Sequence, residues 1–146
     1  MIITVMSRKG AYEFSKTNPA EKTVIISITG FEEEENEFVE QPNIIDILRL
    51  KFDDVGPNDP HSFQPEYAEE IVEFVDRYKD EAERILVHCG AGVSRSAGVG
   101  AAIAYVLNGD NDEFFHSNFY VPNQYVFFQT LTAFFEQEED EDENKN

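Results

Sequence analysis

Arg84-Ile85-Leu86-Val87-His88-Cys89-Gly90-Ala91-Gly92-Val93-Ser94-Arg95-Ser96-Ala97-Gly98 is the stretch on which the fold turns. Residues 84–88 read as a short buried strand. Residues 96–107 carry no charge, and a helix that is apolar all round is a central, buried one. Between them lies a turn of small residues with two glycines. Such a turn sits at the carboxyl end of a sheet strand, where open α/β sheets bind ligands. Small side chains stay out of the way, so backbone N–H groups can converge on one anion. The helix that follows adds the partial positive charge of its N-terminus. A tetrahedral phosphate oxyanion suits that cradle, with residues 90–94 and Arg95 as its lining.

The cradle has two chemically pointed ends. Cys89 opens it, and the donors that hold a phosphate also favour a thiolate, which is the nucleophilic form. Arg95 closes it, and its planar fork can grip two phosphoryl oxygens at once. The Ser96 hydroxyl can hydrogen-bond the sulfur. His88 either orients the Cys89 backbone or is an ordinary core histidine. Taken singly, a lone cysteine after a strand is a small buried hydrophobe, and a lone arginine at a helix start is surface. Strand, glycines, cysteine, arginine and small-residue helix in one run point instead to a site.

Working outward, residues 2–6 and 23–28 are apolar strand candidates, and residues 44–52 give a third that ends at Asp53-Asp54. Ser7 can cap a short helix running to Lys16. Residues 32–35, four glutamates, read as a solvated acidic loop. Residues 55–64 hold Gly56, Pro57 and Pro60 and read as a loop. Pro65 suits the first position of a helix over residues 65–79, with Ala68, Ile71, Val72, Val75 and Tyr78 at helical spacing. Asn123 can cap a last helix whose buried side is Val126, Leu131, Phe134 and Phe135. Strands and helices alternate, which predicts an α/β fold with a central, mainly parallel sheet flanked by helices. One domain is expected over residues 1–137, followed by an acidic disordered tail over residues 138–146.

The chain has 146 residues, enough for one domain with a real core. Its net charge of -19 repels nucleic acid and anionic membranes, so neither is an expected partner. Any bound phosphate must be held by a local positive site. The single cysteine permits no intrachain disulfide and suits a reducing compartment. The amino-terminal run lacks the marks of a signal peptide, and the longest apolar stretch is too short to span a bilayer. A soluble, cytoplasmic protein is expected. The 3 histidines are scattered, so no metal site and no cofactor are expected.

Residues 88–96 resemble the signature of the protein tyrosine phosphatase superfamily: His-Cys, five residues, then Arg followed by Ser or Thr. The small dual-specificity branch fits best, because the loop lies late in the chain, the helix from Pro65 feeds its strand, and Pro122-Asn123 with Val126 and Gln129 resembles that branch's last helix start. The order of elements and the Asp-Asp loop look most like the small predicted tyrosine phosphatases of bacteria and their viruses. The resemblance implies hydrolysis of a phosphorylated protein or peptide through a phosphocysteine intermediate, with Cys89 as nucleophile and Arg95 as phosphate grip. His88, Ser96 and Asn123 would support them. It also implies an upstream aspartic acid as general acid. Asp53, Asp54 and Asp59 are the candidates; Asp54 is preferred because it follows the strand ending at Phe52 where the family's aspartate falls, while alternation would point its neighbour Asp53 elsewhere.

The loop interior has no lysine or second arginine, unlike the lipid phosphatases of the superfamily. That and the acidic surface speak against inositol lipids and RNA 5′-phosphates. No aromatic recognition loop is evident, so phosphotyrosine, phosphoserine and phosphothreonine all stay open. Tyr12, Phe63 and Tyr120 are core or border residues. The alternatives are a phosphate-recognition module without turnover, and an RNA 5′-phosphatase or arsenate-directed enzyme on the same loop. Oligomeric state is not legible.

Overall fold

A computed structural model describes residues 1–144 of the chain. Four strands, β1 (Ile2–Met6), β2 (Thr23–Thr29), β3 (Ile44–Lys51) and β4 (Arg84–His88), form one sheet in the order β1-β4-β2-β3. Every pairing is parallel. The helices among the described residues are α1 (Arg8–Ser15), α2 (Pro65–Tyr78), α3 (Arg95–Asn108), the short α4 (Asp112–Phe115) and α5 (Gln124–Asn144).

Side-chain alternation divides β2 and β4 between two layers. Ile25 and Leu86 face α1 in a small cluster with Ala11. Val24, Ile26, Ile28, Ile85 and Val87 face the main core, which α2, α3 and α5 complete. All seven residues of β2 are buried, the pattern of a strand covered on both faces. β4 lies between β1 and β2, so whatever follows it emerges at the middle of the sheet.

Local signals explain most boundaries. The Ser7 hydroxyl accepts from the Gly10 N–H, the N-cap that starts α1. Pro65 occupies the first turn of α2. Gly109, at φ 73°, takes the left-handed cap of α3. The Asn123 side chain accepts from the Val126 N–H and starts α5. The small residues of α3 let it press against its neighbours: a Cβ on Gly98 would lie 2.8 Å from the Asn123 carbonyl oxygen.

Two expectations need correction. α5 continues through Asn144 where a disordered tail was expected from residue 138. Glutamate is a good helix former, and a helix already anchored by Val126, Phe127 and Phe134 propagates at low cost. Residues 145 and 146, the last of that expected tail, lie outside the described residues. Phe135 is exposed rather than buried; Phe127 takes its place in the core. Among the described residues, no helix is long and apolar enough to cross a membrane.

Candidate active site

The turn after β4 is held from outside by its own carbonyls. Gly90 O accepts from Arg8 N–H at 3.0 Å, Val93 O from Val121 N–H at 2.9 Å, and Ser94 O from Asn123 N–H at 3.0 Å. Among the described residues there is no cis peptide bond. In a trans peptide, C=O and the next N–H point opposite ways. Fixing these three carbonyls outward therefore turns the N–H groups of Ala91, Ser94 and Arg95 inward. Gly92 makes the turn possible: its φ is 72°, and a Cβ there would lie 2.5 Å from backbone atoms of Met6 and Ser7. The start of α1 thus buttresses one side of the loop, and residues 121–123 the other.

Cys89 lies at the floor, 2% exposed, with its Sγ 3.0 Å from the equally buried Ser96 Oγ. His88 stands behind it. Its Nδ1 is 3.1 Å from the Cys89 carbonyl, which can only accept, so Nδ1 carries the proton. Nε2 then accepts from the Ser27 hydroxyl at 2.6 Å. Burial pushes the His88 pKa down to about 4, so the ring is neutral at pH 7. The histidine is both a satisfied core residue and a hold on the cysteine peptide.

Arg95 is the first residue of α3, and its Nη1 donates to Phe52 O at 3.0 Å. The carboxylate of Glu33 reaches to 3.9 Å from the same nitrogen and accepts from the Gly30 N–H at 2.8 Å. The expectation for residues 32–35 therefore fails at one position. Glu32, Glu34 and Glu35 are exposed, but Glu33 turns inward to the only cation of the loop. Nothing in the acidic run marks Glu33 among its neighbours, and the signal could have been found only in three dimensions.

The three aspartates separate cleanly. Asp54 Oδ1 accepts from Ser94 Oγ and from Asn123 Nδ2, both at 2.8 Å, which sets its carboxyl beside the loop. Asn123 thus caps α5 with its oxygen and holds Asp54 with its nitrogen. Asp53 points away, toward Phe31 and His61. Asp59 is exposed and accepts from the His61 N–H. Phe63 is core, packed on Phe52 and Tyr67, and the Tyr120 hydroxyl donates to Val5 O. Tyr12 is half-buried on α1, beside Lys16. Among the described residues, no group of three or more His, Cys, Asp or Glu could hold a metal ion.

Solved structures share this architecture. The human tyrosine phosphatase-like serine/threonine/tyrosine-interacting protein superposes with a TM-score of 0.62 at 21% identity, covering 88% of this chain and 87% of its own. Human DUSP28 gives 0.62 at 16% identity with 94% of each chain covered. PTPMT1 gives 0.58 at 19% identity, with 99% and 96% covered. At such identities the likeness is one of fold. No curated protein matches the chain significantly in sequence. The family model of the dual specificity phosphatase catalytic domain, however, matches residues 10–120, from within α1 through the cysteine loop and α3 to just before residues 121–123. The chain belongs to that family and is a cysteine-dependent phosphatase.

Proposed function

We propose that this phosphatase removes phosphate from phosphotyrosine in proteins, with phosphoserine and phosphothreonine within its reach, through a phosphocysteine intermediate. The observation that carries this is the meeting of three groups at one loop: the Cys89 sulfur at its floor, Arg95 at its end, and the Asp54 carboxyl pinned to Ser94.

In the first step the Cys89 thiolate attacks phosphorus while the Ala91, Ser94 and Arg95 N–H groups and the Arg95 fork hold the equatorial oxygens. The bond to the leaving oxygen breaks, and Asp54 gives that oxygen its proton. Asp54 Oδ1 is taken by Ser94 and Asn123, so the proton travels on Oδ2. In the second step the Asp54 carboxylate takes a proton from water, which attacks phosphorus. The S–P bond breaks, and the Ser96 hydroxyl donates to the departing thiolate. Phosphate leaves, and the enzyme is restored.

Arg95→Lys tests the grip. Lysine keeps the charge but loses the planar fork, and it cannot reach both an equatorial oxygen and Phe52 O. We expect kcat to fall by more than about tenfold, with weaker phosphate binding. Unchanged kinetics would mean that Arg95 is structural.

The substrate class follows from charge. Side chains of residues 90–94 bring no cation, and Glu33 and Asp54 set carboxylates beside the loop. A single phosphate can be held, but a second one on the same molecule meets repulsion. A panel of phosphotyrosine, phosphoserine and phosphothreonine peptides, phosphoinositides and 5′-triphosphate RNA, run in chelator, tests this. Phosphotyrosine peptides should lead by kcat/KM. Preference for a phosphoinositide or RNA would overturn the reading.

A further inference from the structure

Asp54 is held toward the loop by its side chain, but a second set of contacts fixes the backbone that carries it. Residues 56–61 are exposed, and this segment returns to its own start. The Asp53 N–H donates to His61 O at 2.8 Å. The Asp53 carboxylate uses both oxygens: Oδ1 accepts from the Phe31 N–H at 3.0 Å, and Oδ2 lies 3.1 Å from His61 Nδ1. The imidazole lies flat on the Phe31 ring, with centroids 4.0 Å apart and planes 11° from parallel. Asp59 Oδ1 accepts from the His61 N–H at 2.8 Å. His61 therefore meets its own loop at both ends and the β2–β3 connection through Phe31.

We propose that His61 is a positioning residue of the phosphatase reaction: clasped by Asp53 and Phe31, it fixes the loop that presents Asp54 to the leaving oxygen. The proposal rests on Asp54 being the general acid. A general acid must sit within hydrogen-bond reach of the oxygen it protonates, and misplacement by about 1 Å costs on the order of 10²-fold. Ser94 and Asn123 restrain the Asp54 carboxyl, while the clasp restrains the residue immediately before it. Core packing does not account for the arrangement, because the His61 side chain is 49% exposed and Phe31 is 40% exposed. Removing the ring should leave the sheet and the cysteine loop intact.

The test compares His61→Ala, His61→Phe and Asp54→Asn in the full chain, on a phosphotyrosine peptide and on an activated aryl phosphate, with melting temperatures. His61→Ala should lower kcat on the peptide by about tenfold to a hundredfold, lower it much less on the activated ester, and leave KM and melting temperature nearly unchanged. His61→Phe keeps the ring on Phe31 without the partner for Asp53, and should recover part of the loss. If Asp54→Asn shows the leaving-group-dependent loss but both His61 variants lose nothing, or lose equally on the two substrates, the clasp does not position the acid and the proposal fails alone. If Asp54→Asn shows no such dependence, the acid assignment fails and takes the proposal with it.

Discussion

Cys89→Ser is expected to abolish turnover while leaving the protein able to bind inorganic phosphate or vanadate. A serine hydroxyl at the floor of the loop is not ionised at neutral pH and is a poor nucleophile toward phosphorus. The cradle itself does not depend on the sulfur. It is built from peptide N–H groups whose carbonyls are fixed by Arg8, Val121 and Asn123, and from Arg95. Oxygen is smaller than sulfur and meets the same Ser96 hydroxyl, so the fold should tolerate the change. Turnover of an aryl phosphate and calorimetric titration with phosphate would be measured side by side. Persisting turnover would remove Cys89 from the chemistry. Loss of binding together with turnover would show that the sulfur shapes the loop rather than reacting in it.

Asp54→Asn should cost about 10²–10⁴-fold in kcat on phosphotyrosine and phosphoserine peptides. Their leaving oxygens are basic and cannot depart without a proton. An activated aryl phosphate releases an acidic phenol, and the loss there should be far smaller. The alkaline limb of the pH–rate profile should also flatten, because that limb reports loss of the acid's proton. Asparagine can still accept from Ser94 and Asn123 through its amide oxygen, so the loop should keep its place and the change should isolate the proton. An equal loss on both esters would mean that the loop was disturbed. No loss on either would leave Asp59 or solvent as the proton source, although Asp59 is already engaged by the His61 N–H.

The fold's central unit was legible because everything that defines it is contiguous. β4, the cysteine loop and α3 follow one another within 25 residues, and each carries its own local signal: apolar run, paired glycines, uncharged helix. Ser7, Pro65 and Asn123 likewise announce the helices they start. What escaped were relations between distant segments. The sheet order puts β4 between β1 and β2, and no local pattern specifies that. Glu33 looks like its three neighbours until the chain folds and brings Arg95 to it. His61 sits in a stretch of turn residues, and only the ring of Phe31 gives it a surface to lie on. The tail misled for another reason. Its acidity reads as disorder, but it continues a helix already paid for by the aromatic residues before it. Asp54 was preferred to Asp53 on its place after the strand, by family resemblance, and on strand alternation; the structure sets its carboxyl against Ser94 and Asn123, and its role as the acid is left to the Asp54→Asn test.

The two halves of the site hang from parts of the molecule with very different exposure. Residues 85–88 are completely shielded from solvent, and residues 96–104 of α3 are buried. Amide protons on those elements should exchange only when the whole chain opens, whereas segment 53–61 is restrained by surface contacts, those of Asp54 with Ser94 and Asn123 and those of His61 with its partners. Gentle warming or low denaturant should therefore reach the proton donor long before it reaches the thiol. A sample under mild stress would then keep cleaving easy esters while it had already lost the demanding ones, so an assay with an activated ester would overstate how much working enzyme remained.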